Sequence, residues 1–200
     1  MAAATGLIDA AEATHNPAVL SLALYVHENA VYENAFRDAD PVASLDALRR
    51  GLVIAQDSGN RSTESILAVN LCRLEAVYGD PLAALDYITL AIRIYHDSGN
   101  TAAVRGALSI LAAVFDWLER YEPAATMTGF AVIPYTATLA EFNTLIAHLR
   151  DLLGDQTYES IARTGETMTT AEMAAYAYLN SSRNSVLRCV VNVKGALPQR

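Results

Sequence analysis

The feature that most limits what this chain can fold into is an internal duplication. Asp40-Pro41-Val42-Ala43-Ser44-Leu45-Asp46 leads to Asp57-Ser58-Gly59-Asn60, and Asp80-Pro81-Leu82-Ala83-Ala84-Leu85-Asp86 leads to Asp97-Ser98-Gly99-Asn100, every element displaced by 40 residues. Both phrases punctuate helices. Aspartate accepts hydrogen bonds from the unpaired N–H groups of a first turn, and proline fits the first helical position because its missing N–H is not needed there. Glycine takes the left-handed conformation just past a helix end. The duplication therefore specifies architecture and brings no reactive chemistry of its own.

Between the punctuation marks the apolar residues follow helical spacing. Leu67, Leu71, Leu74 and Tyr78 stand four, three and four apart, and Leu82, Leu85, Ile88, Ile92 and Tyr95 share a second stripe. Only Gly79-Asp80 separates the two segments, a connection so short that it predicts antiparallel neighbours. Two-helix units recurring at such a period mark a solenoid, in which each hairpin buries its face against the next. The tetratricopeptide (TPR) unit is about 34 residues, so a unit of 40 implies roughly one to two extra helical turns. Ala84, Ile88 and Ala91, matched by Ser44, Leu48 and Gly51, resemble the small-large-small rhythm of its second helix, whereas Cys72 falls where the first helix has glycine. The expected fold is all-α, with TPR-like antiparallel hairpins stacked as a short right-handed solenoid.

Read in order, the chain opens with a short Ala-rich helix over 4–14, and Asn16-Pro17 then starts a helix to about Asn34. Arg37-Asp38-Ala39 turns into the first Asp-Pro helix. The repeats are placed at 17–57, 61–97 and 101–134, the last ending early because Pro134 cannot continue a helix. Capping helices are expected over 138–178: Leu139–Leu153 closed by Gly154, Gln156–Arg163 closed by Gly165, and a third started by Thr169 and Glu172 as a capping box. Met168 and Met173 form its hydrophobic staple. Residues 1–178 are read as one helical-repeat domain and 179–200 as an irregular tail in which no acidic residue occurs.

Length and charge narrow the function classes. Two hundred residues allow one domain that buries about 70% of its unfolded surface. A net charge of −8, with Lys194 the only lysine, argues against a nucleic-acid surface, which draws affinity from clustered cations. Cys72 and Cys189 form no pattern, the N-terminus lacks a basic signal region, and the apolar run 19–26 is too short to span a bilayer. A reducing cytoplasm is the expected location.

The reactive side chains form no recognisable constellation. His15, His27, His96 and His148 are never spaced four apart and have no cysteine neighbour, so no metal ligand set is expected. Glu28 with Glu33, or Asp80 with Asp86, offers an acid/base pair in principle, but helix starts and solvated faces account for them. Asp57 and Asp97 oppose the helix dipole yet recur, which points to a turn-stabilising side-chain hydrogen bond. No serine sits in a G-x-S-x-G turn. No catalytic, cofactor-binding or metal-binding residue is assigned.

A family resemblance adds context. The phrases at 49–60 (R-R-G-L-V-I-A-Q-D-S-G-N), 79–86, 121–131, 154–159 and 165–177 resemble the C-terminal helical-repeat region of large bacterial regulators. These are the LuxR-type and adenylate-cyclase-linked signal-transduction ATPases. In that family a nucleotide-binding domain precedes the helical repeats, and a helix-turn-helix domain often follows them. The resemblance covers roughly residues 10–178 and implies a regulatory, non-catalytic interaction scaffold without a cofactor. Its implied partner is a protein or peptide, such as a nucleotide-binding or DNA-binding regulator. The phosphate loop G-x-x-x-x-G-K-[ST] does not occur, and no recognisable basic recognition helix follows Tyr178. Asn70 and Arg73 on the helix 61–78 are the candidate partner-facing residues, with solvated surface as the plain alternative. A second reading is a small-molecule sensor or enzyme, with a pocket where Tyr135, Tyr158 and Trp117 gather between repeats and capping helices.

Overall fold

The computed structural model describes residues 2–20, 22–24, 26 and 41–182, and every regular element among them is helical. The helices are α1 (Ala2–Ala13), α2 (Pro41–Asp57), α3 (Arg61–Tyr78), α4 (Pro81–Asp97), α5 (Thr101–Trp117), α6 (Tyr121–Ala131), α7 (Ala140–Leu153), α8 (Asp155–Glu166) and α9 (Thr170–Ser181). A 3-10 turn occupies Thr136–Thr138. Residues 17–20, 22–24 and 26 are also helical. The remainder of the expected helix to Asn34, the turn at 37–39 and the tail from 183 lie outside the described residues. The chain divides into two compact units, Met1–Ile94 and Tyr95–Arg200.

The duplicated stop signal folds the same way each time. Gly59 has φ 68° and Gly99 φ 70°, the left-handed conformation that glycine adopts without steric cost. Behind them Asn60 N donates to Ala55 O at 2.8 Å and Asn100 N to Tyr95 O at 2.9 Å. Gly59 N donates to Gln56 O and Gly99 N to His96 O, both at 3.0 Å, which completes the Schellman pattern. Each asparagine then caps the next helix, its side chain accepting from Thr63 N at 3.2 Å or Ala103 N at 3.1 Å. The side-chain bond within the turn comes from serine and not from Asp57 or Asp97. Ser58 Oγ donates to Ala55 O at 3.2 Å and Ser98 Oγ to Tyr95 O at 3.0 Å, because the shorter hydroxyl reaches back one turn.

The same hydrogen bonds recur at 115–120, where the sequence does not announce them. Arg120 N donates to Phe115 O at 2.8 Å and Glu119 N to Asp116 O at 2.9 Å. Glu119 stands in the glycine position with φ 57°. Arg120 replaces the capping asparagine and makes no side-chain cap bond, reaching instead to the backbone and side-chain oxygens of Asn180.

In the Met1–Ile94 unit the core joins Leu45, Leu48, Leu52 and Ala55 of α2 to Leu67, Leu71 and Leu74 of α3, with Tyr87 and Leu90 of α4 packed against them. The small-large-small residues Ser44, Leu48 and Gly51, and Ala84, Ile88 and Ala91, are all buried. A Cβ at Gly51 would lie 3.4 Å from both Leu24 and Leu67, so this glycine lets three helical segments meet. Tyr78 departs from the expected stripe. It ends α3 beyond the last core residue, Leu74, and is 50% exposed.

The Tyr95–Arg200 unit is built around α6, whose residues from Ala124 to Ala131 are buried except Gly129 and which is contacted by α5, α7, α8 and α9. α6 and α8 cross at reciprocal glycines. A Cβ at Gly129 would meet Ala162 O at 1.9 Å, and one at Gly165 would meet Thr126 O at 1.8 Å. Gly165 is therefore not the expected helix stop: α8 continues through it to Glu166, and the missing side chain serves the crossing. Gly154 does close α7, with φ 79°. α6 ends before Pro134 as expected, and the buried Thr136 hydroxyl donates to Ala131 O at 2.7 Å and accepts from Ile133 N at 2.9 Å. The Thr169/Glu172 capping box is present in full, and Met173 of the expected staple is fully buried. α9 runs to Ser181, into the segment expected to be irregular from 179.

Candidate functional site

α3 carries the candidate partner-facing residues Asn70 and Arg73. Its core face comprises Leu67, Ala68, Leu71, Cys72 and Leu74, all buried. A helix advances 100° per residue, so Ile66, Asn70, Arg73 and Val77, spaced four, three and four apart, form a strip on the opposite side. The first three are half-buried, and Val77 is 64% exposed. Asn70 and Arg73 thus lie one turn apart on a single apolar-edged strip. Neither has a hydrogen-bond or ion-pair partner among the described residues.

That isolation sets Arg73 apart from its neighbours. Arg49 bonds Glu75 at 2.7 Å and Asp46 at 3.2 Å, Arg61 bonds Glu64 at 2.9 Å, and Arg50 pairs with Glu12. In the other unit Arg150 bridges Asp155 and Glu159 above the Tyr158 ring, and Arg105 binds Phe130 O over the Phe130 ring.

Two buried carboxylates on α3 escaped notice at the sequence level. Glu75 is 2% exposed: Oε1 accepts from Arg49 of α2, and Oε2 accepts from Asp80 N at 3.0 Å, just before α4. A Cβ at Gly79 would come within 2.0 Å of that oxygen, so Gly79 leaves room for the carboxylate to reach the backbone. The Glu75 bond also pushes the Arg49 guanidinium above its already high ordinary range. Glu64, 3% exposed, accepts from Arg61 and, at 3.2 Å, from Gln56 Nε2. The clue was in the duplication: 40 residues on, the equivalent positions are Val104 and Phe115, both buried. Glu75 ties α2, α3 and the start of α4 together, a positioning role that presents α3 in a fixed orientation.

The remaining candidates are dispersed. His15 occupies the turn after α1 with φ 51°, His96 lies 3.7 Å from Asp97, and His148 Nδ1 is 3.0 Å from both carboxylate oxygens of Asp116. His27 is outside the described residues. Asp80 is a helix cap, accepting from Leu82 N at 2.9 Å, and Asp86 is exposed on α4. Glu28 and Glu33 are outside the described residues. Burial pushes the Cys72 thiol up to about 12, so it is inert as a nucleophile at neutral pH. Among the described residues no three His, Cys, Asp or Glu side chains are grouped to hold a metal ion.

Trp117, Tyr135 and Tyr158 do not gather. Trp117 is 58% exposed at the end of α5 joined to α6, while Tyr135 is 65% exposed beyond the far end of α6, about 16 Å away along an 11-residue helix. Tyr158 is a core residue. Thr128 Oγ1 donates to Ala125 O, so the Tyr158 hydroxyl donates to Thr128 Oγ1 at 3.0 Å. No described helix is long and apolar enough to cross a membrane. Comparison with protein-family models, curated proteins and solved structures finds no match to this chain.

Proposed function

We propose that this chain is a non-catalytic, cytoplasmic interaction scaffold, a TPR-like helical-repeat module of the kind its sequence resembles in bacterial LuxR-type signal-transduction ATPases. The observation that supports this reading is the identical Schellman-and-cap junction at 55–60 and 95–100, which repeats one helical punctuation at a fixed period and spends the recurring polar residues on it. Residues so engaged serve the fold, whereas Asn70 and Arg73 take no part in that punctuation and stand on a helix face suited to a partner polypeptide. The sensor reading draws less support, because Tyr158 has its hydroxyl satisfied within the core and Trp117 stands remote from Tyr135.

Affinity capture on the full 200-residue chain tests the proposal. A nucleotide-binding or DNA-binding regulator recovered stoichiometrically, and lost in an Asn70→Ala/Arg73→Ala variant, is the expected result. A saturable thermal shift with a nucleotide or metabolite, and no protein partner, would replace the scaffold with the sensor.

A further inference from the structure

We infer that the outward strip of α3 recognises a carboxylate on a partner polypeptide, with Arg73 as its cation, Asn70 as a neutral hydrogen-bonding neighbour one turn away, and Ile66 and Val77 as apolar flanks. The inference rests on the scaffold reading and names the chemistry of its partner. Three observations carry it. Arg73 is half-buried and unpaired among the described residues, although the chain carries 22 acidic against 14 basic side chains and its neighbours Arg49, Arg50 and Arg61 all hold carboxylates. A guanidinium that has lost part of its hydration and holds no partner among the described residues is suited to one from outside, and its planar fork matches a carboxylate in a bidentate pair. Second, the fold does not require the arginine. The junctions that begin α3 and α5 share one geometry, so position 73 corresponds to 113 and position 70 to 110, where the chain has Ala113 and Ile110. Third, Val77 is 64% exposed beside Arg73, and Trp117, its counterpart in α5, is 58% exposed. An apolar flank is therefore kept at the same place in both copies while the charge is added in one. The occupant that fits is an acidic peptide segment carrying Leu, Ile or Val beside its Asp or Glu.

Selection of a random-peptide library displayed on phage against the full 200-residue chain tests this. Wild type should enrich peptides pairing Asp or Glu with an aliphatic residue, and the Glu→Gln version of each should bind about ten- to hundredfold more weakly, the worth of one charge-assisted hydrogen-bonded pair. Arg73→Ala should bind the Glu and Gln peptides equally, Arg73→Lys should restore part of the difference, and Arg73→Glu should enrich Lys or Arg instead. Arg163→Ala, at an exposed position of α8, should leave binding unchanged. Unchanged far-ultraviolet circular dichroism excludes misfolding, which Ala113 at the equivalent position already argues against. Enrichment of peptides without acidic residues, or of the same peptides by Arg73→Ala, would overturn carboxylate recognition while leaving the scaffold standing. Failure to enrich any peptide would overturn it too, and failure of affinity capture as well would remove the scaffold.

Discussion

Adding one methyl group at Gly129 tests what holds the Tyr95–Arg200 unit together. The new Cβ would lie 1.9 Å from Ala162 O, and even a separation of 3.0 Å, the lower edge of real contacts, requires α6 and α8 to part by about 1.1 Å. The obstacle is backbone, so no rotamer change relieves it. A gap of that size forfeits roughly a quarter to a half of the dispersion attraction across the crossing. It also stretches the 3.0 Å bond between Tyr158 and Thr128. Overpacking of this kind costs about 1–3 kcal/mol, and a rigid obstacle places Gly129→Ala at or above the upper end. Replacing a helical glycine returns about 1 kcal/mol. The net expectation is a loss of about 2 kcal/mol, or roughly 4–8 °C in Tm for a chain of this length.

Differential scanning calorimetry of three single variants separates the crossing from helix propensity. Gly165→Ala should match Gly129→Ala, since its Cβ meets Thr126 O at 1.8 Å, whereas Gly106→Ala, with no atom within 4 Å of its Cβ, should gain up to about 1 kcal/mol. The double variant should lose less than the sum of the singles, because one displacement accommodates both methyl groups. If Gly129→Ala melts with or above Gly106→Ala, the close crossing does not exist and the packing assigned to α6 and α8 is wrong.

Other perturbations address separate links in the argument. Glu75→Ala should cost about 2–3 kcal/mol in urea unfolding by orphaning Asp80 N and one face of Arg49, while Asp46→Ala, whose carboxylate is 69% exposed, should cost less than ~1 kcal/mol. Glu119→Gly should stabilise the chain by roughly 1 kcal/mol, since only glycine accepts φ 57° freely, and Gly59→Ala should do the reverse. In a Cys189→Ser background, Cys72 should react with a thiol reagent only after denaturation. Hydrogen bonds from the Thr169 backbone and hydroxyl hold the Glu172 carboxyl below its ordinary value of 4.5. Its capping contribution should be full above that pH and disappear as the pH falls through the lowered folded value. Wild type and Glu172→Gln should therefore differ in Tm at neutral pH and converge on acidification.

What could be read from the sequence was local, and what could not was relational. The Asp-Ser-Gly-Asn turns, the Thr169 box and the Gly154 stop each fold through bonds to residues at most five positions away, so a short phrase determines them. Gly165 has the same look as a stop signal, yet what decides its role is the backbone of Thr126, far earlier in the chain and across a helix crossing. Glu119 shows the converse. A Schellman turn forms without its glycine when neighbouring contacts, here Arg120 against Asn180 and over the Phe115 ring, offset a left-handed residue that costs about 1–2 kcal/mol.

The site follows the same division. Asn70 and Arg73 stand out as polar positions on α3 from periodicity alone, whereas periodicity alone does not mark Glu64 and Glu75 as buried, because a glutamate on a helix is ordinarily a solvated residue. A duplicated chain supplies its own control for this problem. Where the copies agree, as at Gly59 and Gly99, the residue is punctuation; where they agree in burial and differ in chemistry, as Glu75 does from Phe115, one copy holds by a buried carboxylate what the other fills with an apolar ring. Arg73 against Ala113 is a contrast in chemistry at equivalent positions of the outward strip, half-buried in one copy and exposed in the other, which is why specificity is sought on α3 and not on α5.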